Sequence, residues 1–146
     1  MELLFASQHV HKILELRDLL KAIPHLELLT LHHFPHYIPP QDNGATFKDN
    51  AIAKAEHAAA HLNKWVIAED SGLVVPVLQG VPGIFSDCYA GPEATDAENR
   101  RKLLKEMQPF INLERAAYLE CTIALASPAG IKKCVTGIWK PTARIL

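Results

Sequence analysis

The chain has 146 residues, 49% of them hydrophobic, which is enough to bury a core and suits one soluble domain spanning residues 1–146. Its net charge is −1, with acids and bases scattered along the chain, so neither nucleic acid nor a membrane surface is an expected partner. The N-terminus shows no leader pattern, no apolar run reaches membrane-spanning length, and the 3 cysteines lack zinc or disulfide spacing, so we expect a cytoplasmic protein with reduced thiols.

The first predicted elements are a strand over residues 3–6 and a helix from Val10 to about Ala22. The intervening turn and the start of the helix read Ser7-Gln8-His9-Val10-His11-Lys12. Helix N-termini favour phosphate through their N–H groups and dipole, and Lys12 adds a full charge. A serine cap followed by a solvated lysine is the alternative interpretation. The predicted buried face of this helix comprises Ile13, Leu16, Leu19, Leu20 and Ile23.

A second strand is predicted over residues 26–31, followed by a loop rich in histidine and proline. The neighbouring His32, His33 and His36 invite a metal-site interpretation, but the prolines prevent a helix that would place them at i and i+4. We therefore expect a solvated loop. It leads to Asp42, the next acid available to a metal.

Thr46 and Asp49 have the spacing of a capping box, which predicts a helix from there to about Leu62. Its alanine-rich composition supports this assignment. A polar stripe follows one side of the helix and comprises Asn50, Lys54, His57 and His61. We expect its first two members to lie beside the next strand and the two histidines to face solvent.

Residues 65–73, Trp-Val-Ile-Ala-Glu-Asp-Ser-Gly-Leu, organise the chain. The apolar, β-branched run predicts a buried strand that ends at Glu69 and Asp70. Adjacent carboxylates repel each other unless a cation or a basic side chain lies between them, and Mg²⁺ prefers carboxylate oxygens. Metal-assisted chemistry is one prediction; a polar turn that leaves a strand is the other.

The rest of the chain predicts an apolar segment, a helix and a hairpin. Residues 73–78 are apolar and rich in valine, and residues 95–98 form a capping box that begins a helix. Residues 116–126 and 132–139 flank a Ser-Pro-Ala-Gly turn and predict an antiparallel hairpin. The sum is a mixed α/β domain. The apolar stripe of the last helix comprises Leu103, Leu104 and Met107.

Four ordered motifs are specific enough to indicate a family. They are Ser-x-His-x-x-Lys over residues 7–12, Gly-x-Thr-Phe-x-x-Asn-Ala-x-x-Lys-Ala over 44–55, Ala-Glu-Asp-Ser-Gly-Leu over 68–73 and Pro-Gly-Ile-x-Ser over 82–86. They resemble the motifs of the Ham1/RdgB family, the inosine triphosphate pyrophosphatases. The resemblance extends from the N-terminus to about Trp139.

The resemblance implies a Ham1/ITPase-like (Maf-like) α/β fold, with a mixed central β-sheet flanked by helices and incomplete at the C-terminus. It implies hydrolysis of non-standard purine nucleoside triphosphates (ITP, dITP and XTP) to the monophosphate and pyrophosphate. The implied cofactor is Mg²⁺, the implied partner is the small-molecule nucleoside triphosphate, and the full-length form is expected to be a homodimer.

The resemblance also implies roles at the matching positions. Asp70 is expected to be the general base that activates a water for attack on the α phosphorus, while lysines neutralise the phosphate tail. The implied metal ligands are Asp42, Glu69 and Asp70. The implied substrate-binding residues are Ser7, Gln8, His9, Val10, His11, Lys12, Lys54 and Ser71.

The chain departs from the family pattern at several positions. His9 stands where most members have Asn, Cys88 where Arg is common, and Asp42 where the longer Glu is usual. Family members continue past the strand at Trp139 with Phe-Gly-Tyr-Asp and Ser-His-Arg motifs that are associated with base selection. This chain instead continues with residues 140–146, so we expect it to lack the family's C-terminal portion.

Two alternative functions stay open at this point. A non-catalytic nucleotide- or phosphate-binding remnant, left by loss of the C-terminal substrate motifs, would bind a triphosphate without turnover. Another phosphohydrolase fold, built on Asp70-Ser71-Gly72 and acting on monophosphates, would release phosphate instead of pyrophosphate. The match over residues 46–55 argues against this last alternative.

Overall fold

The structure is a computed structural model that describes residues 1–130, 132–140 and 145–146. Residues 141–144, part of the segment after Trp139 where we expect the family's C-terminal portion to be lacking, therefore lie outside the described residues. The chain divides into two compact units, residues 1–70 with 122–135 and residues 71–121 with 136–146. The expectation of a single domain over residues 1–146 stays a prediction.

Parallel strands joined by helices form the beginning of the first unit. Strand β1 (Glu2–Phe5) leads through helix α1 (Val10–Leu20) to strand β2 (Glu27–Thr30), and Leu3 pairs in parallel with Leu28. Helix α2 (Phe47–Leu62) then leads to strand β3 (Val66–Val74), which pairs in parallel with the other side of β1. Parallel neighbours require such long crossovers, and each helix supplies one.

A hairpin completes the sheet. Strand β4 (Tyr118–Ala126) and strand β5 (Lys132–Trp139) are neighbours in a five-stranded sheet whose order, in the described part of the chain, is β2-β1-β3-β4-β5. Their connection is too short for a parallel return, so the two strands run antiparallel. The predicted hairpin and the predicted mixed sheet are confirmed.

The core of the first unit lies between α2 and the sheet. The helix contributes small side chains, which allow its backbone to lie close to the strands, and the strands contribute larger ones such as Leu4 and Val66, each fully buried. Burial of one such aliphatic side chain contributes about 1.5–3 kcal/mol. The alanines of this face are Ala51, Ala55, Ala58 and Ala59. Their packing fixes which face of α2 is turned away from the core.

The second unit is organised around helix α3 (Asp96–Glu106). Thr95 caps this helix and forms the predicted capping box with Glu98. Leu103 and Met107 are buried as predicted and pack with Val75. Short 3₁₀ segments lie at Pro76–Leu78, Gly83–Cys88 and Asn112–Arg115. The cysteines at positions 88, 121 and 134 are not joined by disulfide bonds.

Two predictions about apolar helix faces are wrong in part. On α1 only Ile13 is buried, and Leu19 is 76% exposed. Apolar side chains also lie on the other side of this helix, at Val10 and Leu14. The spacing of apolar residues along α1 therefore did not identify which face is buried. On α3 the predicted core residue Leu104 is 45% exposed.

The predicted end of the central strand is also wrong. Strand β3 continues through Glu69 and Asp70 to Val74 because Leu73 and Val74 resume the apolar pattern after Gly72. The pairing with β1, however, ends at Phe5 opposite Ile67. The carboxylates therefore lie just past the carboxyl end of β1, where open α/β sheets bind ligands.

Among the described residues, no helix combines the length and the apolar character needed to cross a bilayer.

Candidate functional site

Glu69 and Asp70 pair with lysines from different helices. Lys12 of α1 donates from Nζ to Glu69 Oε1 at 2.6 Å, and Lys54 of α2 donates from Nζ to Asp70 Oδ1 at 3.0 Å. Successive side chains of a strand point to opposite faces, so adjacent carboxylates reach different helices. The structure relieves the repulsion between the two acids by giving each its own cation.

Lys54 is the centre of the first unit's charge network. Besides Asp70, its Nζ contacts Asp42 Oδ1 at 3.0 Å and the Glu69 carbonyl oxygen at 3.5 Å. Burial alone would lower the pKa of Lys54, but the negative charges of Asp70 and Asp42 outweigh this effect and the net pKa is raised. Lys54 is therefore a stable cation held between two carboxylates.

Asn50 is the second group on α2 that holds Asp70. Its side chain is buried, donates from Nδ2 to Asp70 Oδ2 at 2.9 Å, and accepts the Gly44 N–H on Oδ1 at 2.7 Å. The N–H of Gly44 can only donate, so this contact fixes which end of the amide faces Asp70. The sequence analysis placed Asn50 beside the strand but assigned it no role. Its i, i+4 spacing with Lys54, which puts both side chains on one face of the helix, was the pattern that could have indicated this role.

Asp70 combines burial with two donors. Burial raises the pKa of this carboxyl, the Asn50 hydrogen bond and the Lys54 charge counteract the shift, and the Asp42 charge adds to it, so the net pKa is raised. Asp70 is consequently a better proton acceptor than an ordinary aspartate. This environment suits the general base that the resemblance placed here.

The N-terminus of α1 differs from the alternative interpretation of the sequence, a serine cap followed by a solvated lysine. His9, not Ser7, is the N-cap residue, and the buried Ser7 accepts the His9 N–H on Oγ at 3.2 Å. Lys12 is paired with Glu69 instead of being solvated. The first turn of α1, which is fully described, carries no acidic side chain, so its positive end is not neutralised from within the helix. The predicted binding residues Gln8, His9, Val10 and His11 are exposed around it.

The three predicted metal ligands are not gathered into one set. Glu69 is turned to Lys12, whereas Asp42 and Asp70 share Lys54. Within residues 1–130, 132–140 and 145–146, no group of three or more His, Cys, Asp or Glu side chains could hold a metal ion. The available donors are hard carboxylate oxygens, and Mg²⁺ needs only one or two of these when phosphate oxygens complete its shell. Ser71, the next residue of β3, is half-buried and belongs to the second unit.

Comparison with known proteins identifies the family. A family model described as the Ham1 family matches residues 3–143. The chain belongs to the Ham1 family. The predicted resemblance is thereby confirmed.

Curated relatives place this Ham1 chain among named enzymes. It is 60% identical over 139 residues to a dITP/XTP pyrophosphatase of Protochlamydia amoebophila, a match that covers 94% of this chain and 70% of that protein. It is 45% identical over 131 residues to a dITP/XTP pyrophosphatase of Chlamydia abortus, covering 89% of this chain and 64% of the relative. The chain thus spans about two thirds of the length of these relatives.

Solved structures confirm the fold. A HAM1 protein of Coxiella burnetii superposes with a TM-score of 0.86 at 34% identity, covering 96% of this chain and 71% of that one. A protein of Mycobacterium abscessus described as a nucleoside-triphosphatase and dITP/XTP pyrophosphatase gives a TM-score of 0.83, also at 34% identity, with 96% and 73% covered. The Ham1/ITPase-like α/β fold expected from the sequence is therefore correct.

Proposed function

We propose that this chain hydrolyses non-standard purine nucleoside triphosphates, namely ITP, dITP and XTP, to the monophosphate and pyrophosphate. The relatives named dITP/XTP pyrophosphatase, at up to 60% identity, support this substrate class. The observation that carries the proposal is Lys54, which lies between Asp70 and Asp42 beside the second pair formed by Lys12 and Glu69.

The lysines are proposed to bind the phosphate tail. A nucleoside triphosphate brings about four negative charges at neutral pH, and positioned cations are the main device for phosphoryl transfer. When the substrate arrives, Lys12 and Lys54 exchange carboxylate partners for phosphate oxygens. The N-terminus of α1, residues 7–11, adds backbone donors and the positive end of a helix dipole. Ser71, next to the base, is proposed as a further substrate contact.

Asp70 is proposed to act as the general base. When Lys54 turns from Asp70 to the substrate, the Asp70 oxygen Oδ1 becomes available. Asn50 continues to hold the other oxygen, Oδ2. That free oxygen takes a proton from water as the water oxygen bonds to the α phosphorus. The bond between the α phosphorus and the bridging oxygen breaks, and pyrophosphate leaves with the bonding electrons.

Mg²⁺ fits the available oxygen donors, and Asp42, Glu69 and Asp70 are proposed to hold it together with the substrate's phosphates. When bound, Mg²⁺ would neutralise phosphate charge and lower the pKa of a coordinated water. Glu69 and Asp42 become available for this role once their lysines turn to phosphate. The homodimer and the cytoplasmic location expected from the sequence stay predictions.

A pyrophosphate-release assay tests the proposal. The chain is assayed with ITP, XTP, ATP and GTP in the presence of Mg²⁺, alongside Asp70→Asn. We expect release from ITP and XTP that exceeds release from ATP and GTP and is lost in Asp70→Asn. Equal release by the parent chain and the variant would remove Asp70 from the mechanism.

Two companion measurements, calorimetric binding of ITP and phosphate release from monophosphates, separate the two alternatives. Calorimetric binding of ITP without turnover would support the non-catalytic nucleotide-binding remnant and overturn the proposed hydrolysis. Release of phosphate from monophosphates, without pyrophosphate from triphosphates, would support the other phosphohydrolase activity.

A further inference from the structure

The loop between β2 and α2, residues 34–46, lies along one side of α2 and is held there by three contacts. In the order of the loop, the contacts are Tyr37 hydroxyl to His57 Nδ1 at 2.8 Å, Asp42 Oδ1 to Lys54 Nζ at 3.0 Å, and Gly44 N–H to Asn50 Oδ1 at 2.7 Å. The partners on α2 follow in the reverse order, so the loop runs antiparallel to the helix. All of these residues belong to the first unit. The contact between Tyr37 and His57 is the one that the proposed hydrolysis does not use.

Tyr37 and His57 are both neutral at neutral pH. The Tyr37 ring packs against the core of the first unit, and burial raises the pKa of its hydroxyl to about 12. Burial lowers the pKa of His57, and the charge of the neighbouring His61 lowers it further. A hydroxyl and a neutral imidazole nitrogen can each donate or accept, so the contact forms whichever ring nitrogen of His57 carries the proton.

His61 supports the His57 ring from the next turn of α2. The ring centroids of the two histidines are 3.9 Å apart, with the planes inclined by 25°. His61 Nδ1 donates to the His57 carbonyl oxygen at 2.7 Å, since a carbonyl can only accept. His61 is thereby held against one face of the His57 ring, which helps to keep Nδ1 of His57 directed at Tyr37.

A stiff link joins Tyr37 to Asp42. Residues 38–41 read Ile-Pro-Pro-Gln, and a proline fixes its own φ and restricts the residue before it, so this short link transmits position. The Asp42 side chain is 47% exposed, and Lys54 is its one polar partner in the described part of the chain. When Lys54 turns to a phosphate, as proposed above, Asp42 loses this partner. Its place in the site then depends on how the loop is held on either side.

We propose that Tyr37 and His57 are positioning residues for Asp42. Their contact anchors the loop on the N-terminal side of Asp42, and the Gly44 contact with Asn50 anchors it on the C-terminal side. The two anchors keep the Asp42 carboxylate in the site after Lys54 has left it. This inference rests on the proposed hydrolysis for its effect on catalysis, whereas the anchoring of the loop is measurable without any activity.

Amide hydrogen exchange tests the anchoring. Tyr37→Phe keeps the packed ring and removes only the hydroxyl, so exchange of the Gly44 N–H should accelerate about 2- to 10-fold, as expected for one neutral hydrogen bond. Exchange of the Ala55 N–H, in the buried part of α2, should not change. Tyr118→Phe is the matched control, because the Tyr118 hydroxyl has no hydrogen bond to the described residues, and it should match the parent at both amides. Unchanged Gly44 exchange in Tyr37→Phe, or equal acceleration at Ala55, would overturn the proposal.

A double-mutant cycle on pyrophosphate release from ITP tests whether Tyr37 acts through Asp42. Tyr37→Phe should lower kcat/KM about 2- to 10-fold in the parent and cause no further loss in Asp42→Asn, because residues that act as one unit are not additive. His57→Gln, which can still donate or accept, should retain more activity than His57→Leu. The same loss from Tyr37→Phe in both backgrounds would overturn the positioning role. A parent that releases no pyrophosphate would overturn the proposed hydrolysis instead, and the exchange of Gly44 would then decide the role of Tyr37 by itself.

Discussion

The Asn50 amide holds one oxygen of the Asp70 carboxylate, with Nδ2 at 2.9 Å from Oδ2, and Lys54 holds the other at 3.0 Å. Both donors come from α2, one turn apart on a helix whose opposite face is packed into the core. The proposed base, Asp70, is therefore positioned by a rigid element before any substrate binds. Positioning of this kind reduces the entropy that the reaction must otherwise lose.

Asn50→Ala should raise the pKa of Asp70. A hydrogen bond to a carboxylate favours its ionised form, so removal of this bond leaves burial, which already raises the pKa of Asp70, less opposed. The carboxyl carbon of Asp70 is titrated by carbon-13 NMR with a chelator present, so that the metal-free protein is measured. Asn99→Ala removes a buried asparagine of α3 and should leave the Asp70 titration unchanged. An unchanged or lowered Asp70 pKa in Asn50→Ala would contradict the role of the amide.

Lys54→Met should lower kcat/KM for pyrophosphate release from ITP on the order of 100-fold, because the transition state loses a positioned cation. Lys54→Arg keeps the charge but changes its geometry, so it should retain more activity than Lys54→Met. Lys48→Met is the matched control, since Lys48 is an exposed lysine in the first turn of the same helix. The prediction fails if Lys48→Met and Lys54→Met reduce the rate equally.

Local chemistry explains what the sequence predicted well. At Thr46 and at Thr95 the threonine hydroxyl accepts the backbone N–H of the residue three positions on, so a short window contains the complete signal. The hairpin strands and the apolar, β-branched run around Val66 likewise need only neighbouring residues to be recognised. From these features the order of the elements could be predicted. That order in turn places Lys12, Lys54 and the carboxylates at one edge of the sheet.

Pairings between distant residues were not predictable in the same way. Lys12 and Glu69 are 57 positions apart, and only the assembled sheet decides that Lys12 takes Glu69 while Lys54 takes Asp70. The sequence predicted a cation or a basic side chain between the two acids, and the structure gives each acid its own lysine. The His57 contact with Tyr37 depends on a loop conformation that no periodic pattern encodes.

Gly44→Ala should destabilise the first unit and reduce activity. A Cβ at this position would lie 2.5 Å from Asn50 Oδ1 and 2.8 Å from the Asp49 Cβ, so the loop or the start of α2 must move. Such overpacking typically costs about 1–3 kcal/mol. Urea denaturation and pyrophosphate release measure the two effects. Gly137→Ala, where nothing lies within 4 Å of the added carbon, is the control and should change neither. A Gly44→Ala variant as stable and active as the parent would show that the loop adapts without cost.

Thr46→Ala and Thr95→Ala compare the two helix caps. Thr46 accepts the Asp49 N–H at 3.1 Å and Thr95 accepts the Glu98 N–H at 3.3 Å, so each substitution should lower the free energy of unfolding by about 1 kcal/mol. Only the helix that Thr46 caps carries Asn50 and Lys54. Fraying of its first turn displaces Asn50 from Asp70, because Asn50 is the fourth residue of α2.

The two variants should therefore differ in activity although they match in stability. Urea denaturation gives the free energy of unfolding, and pyrophosphate release from ITP is measured well below the melting temperature so that both proteins remain folded. Thr46→Ala should release pyrophosphate more slowly than the parent, and Thr95→Ala should match the parent. If both variants lose the same fraction of activity, the loss follows general stability, and the first turn of α2 has no special part in holding Asp70.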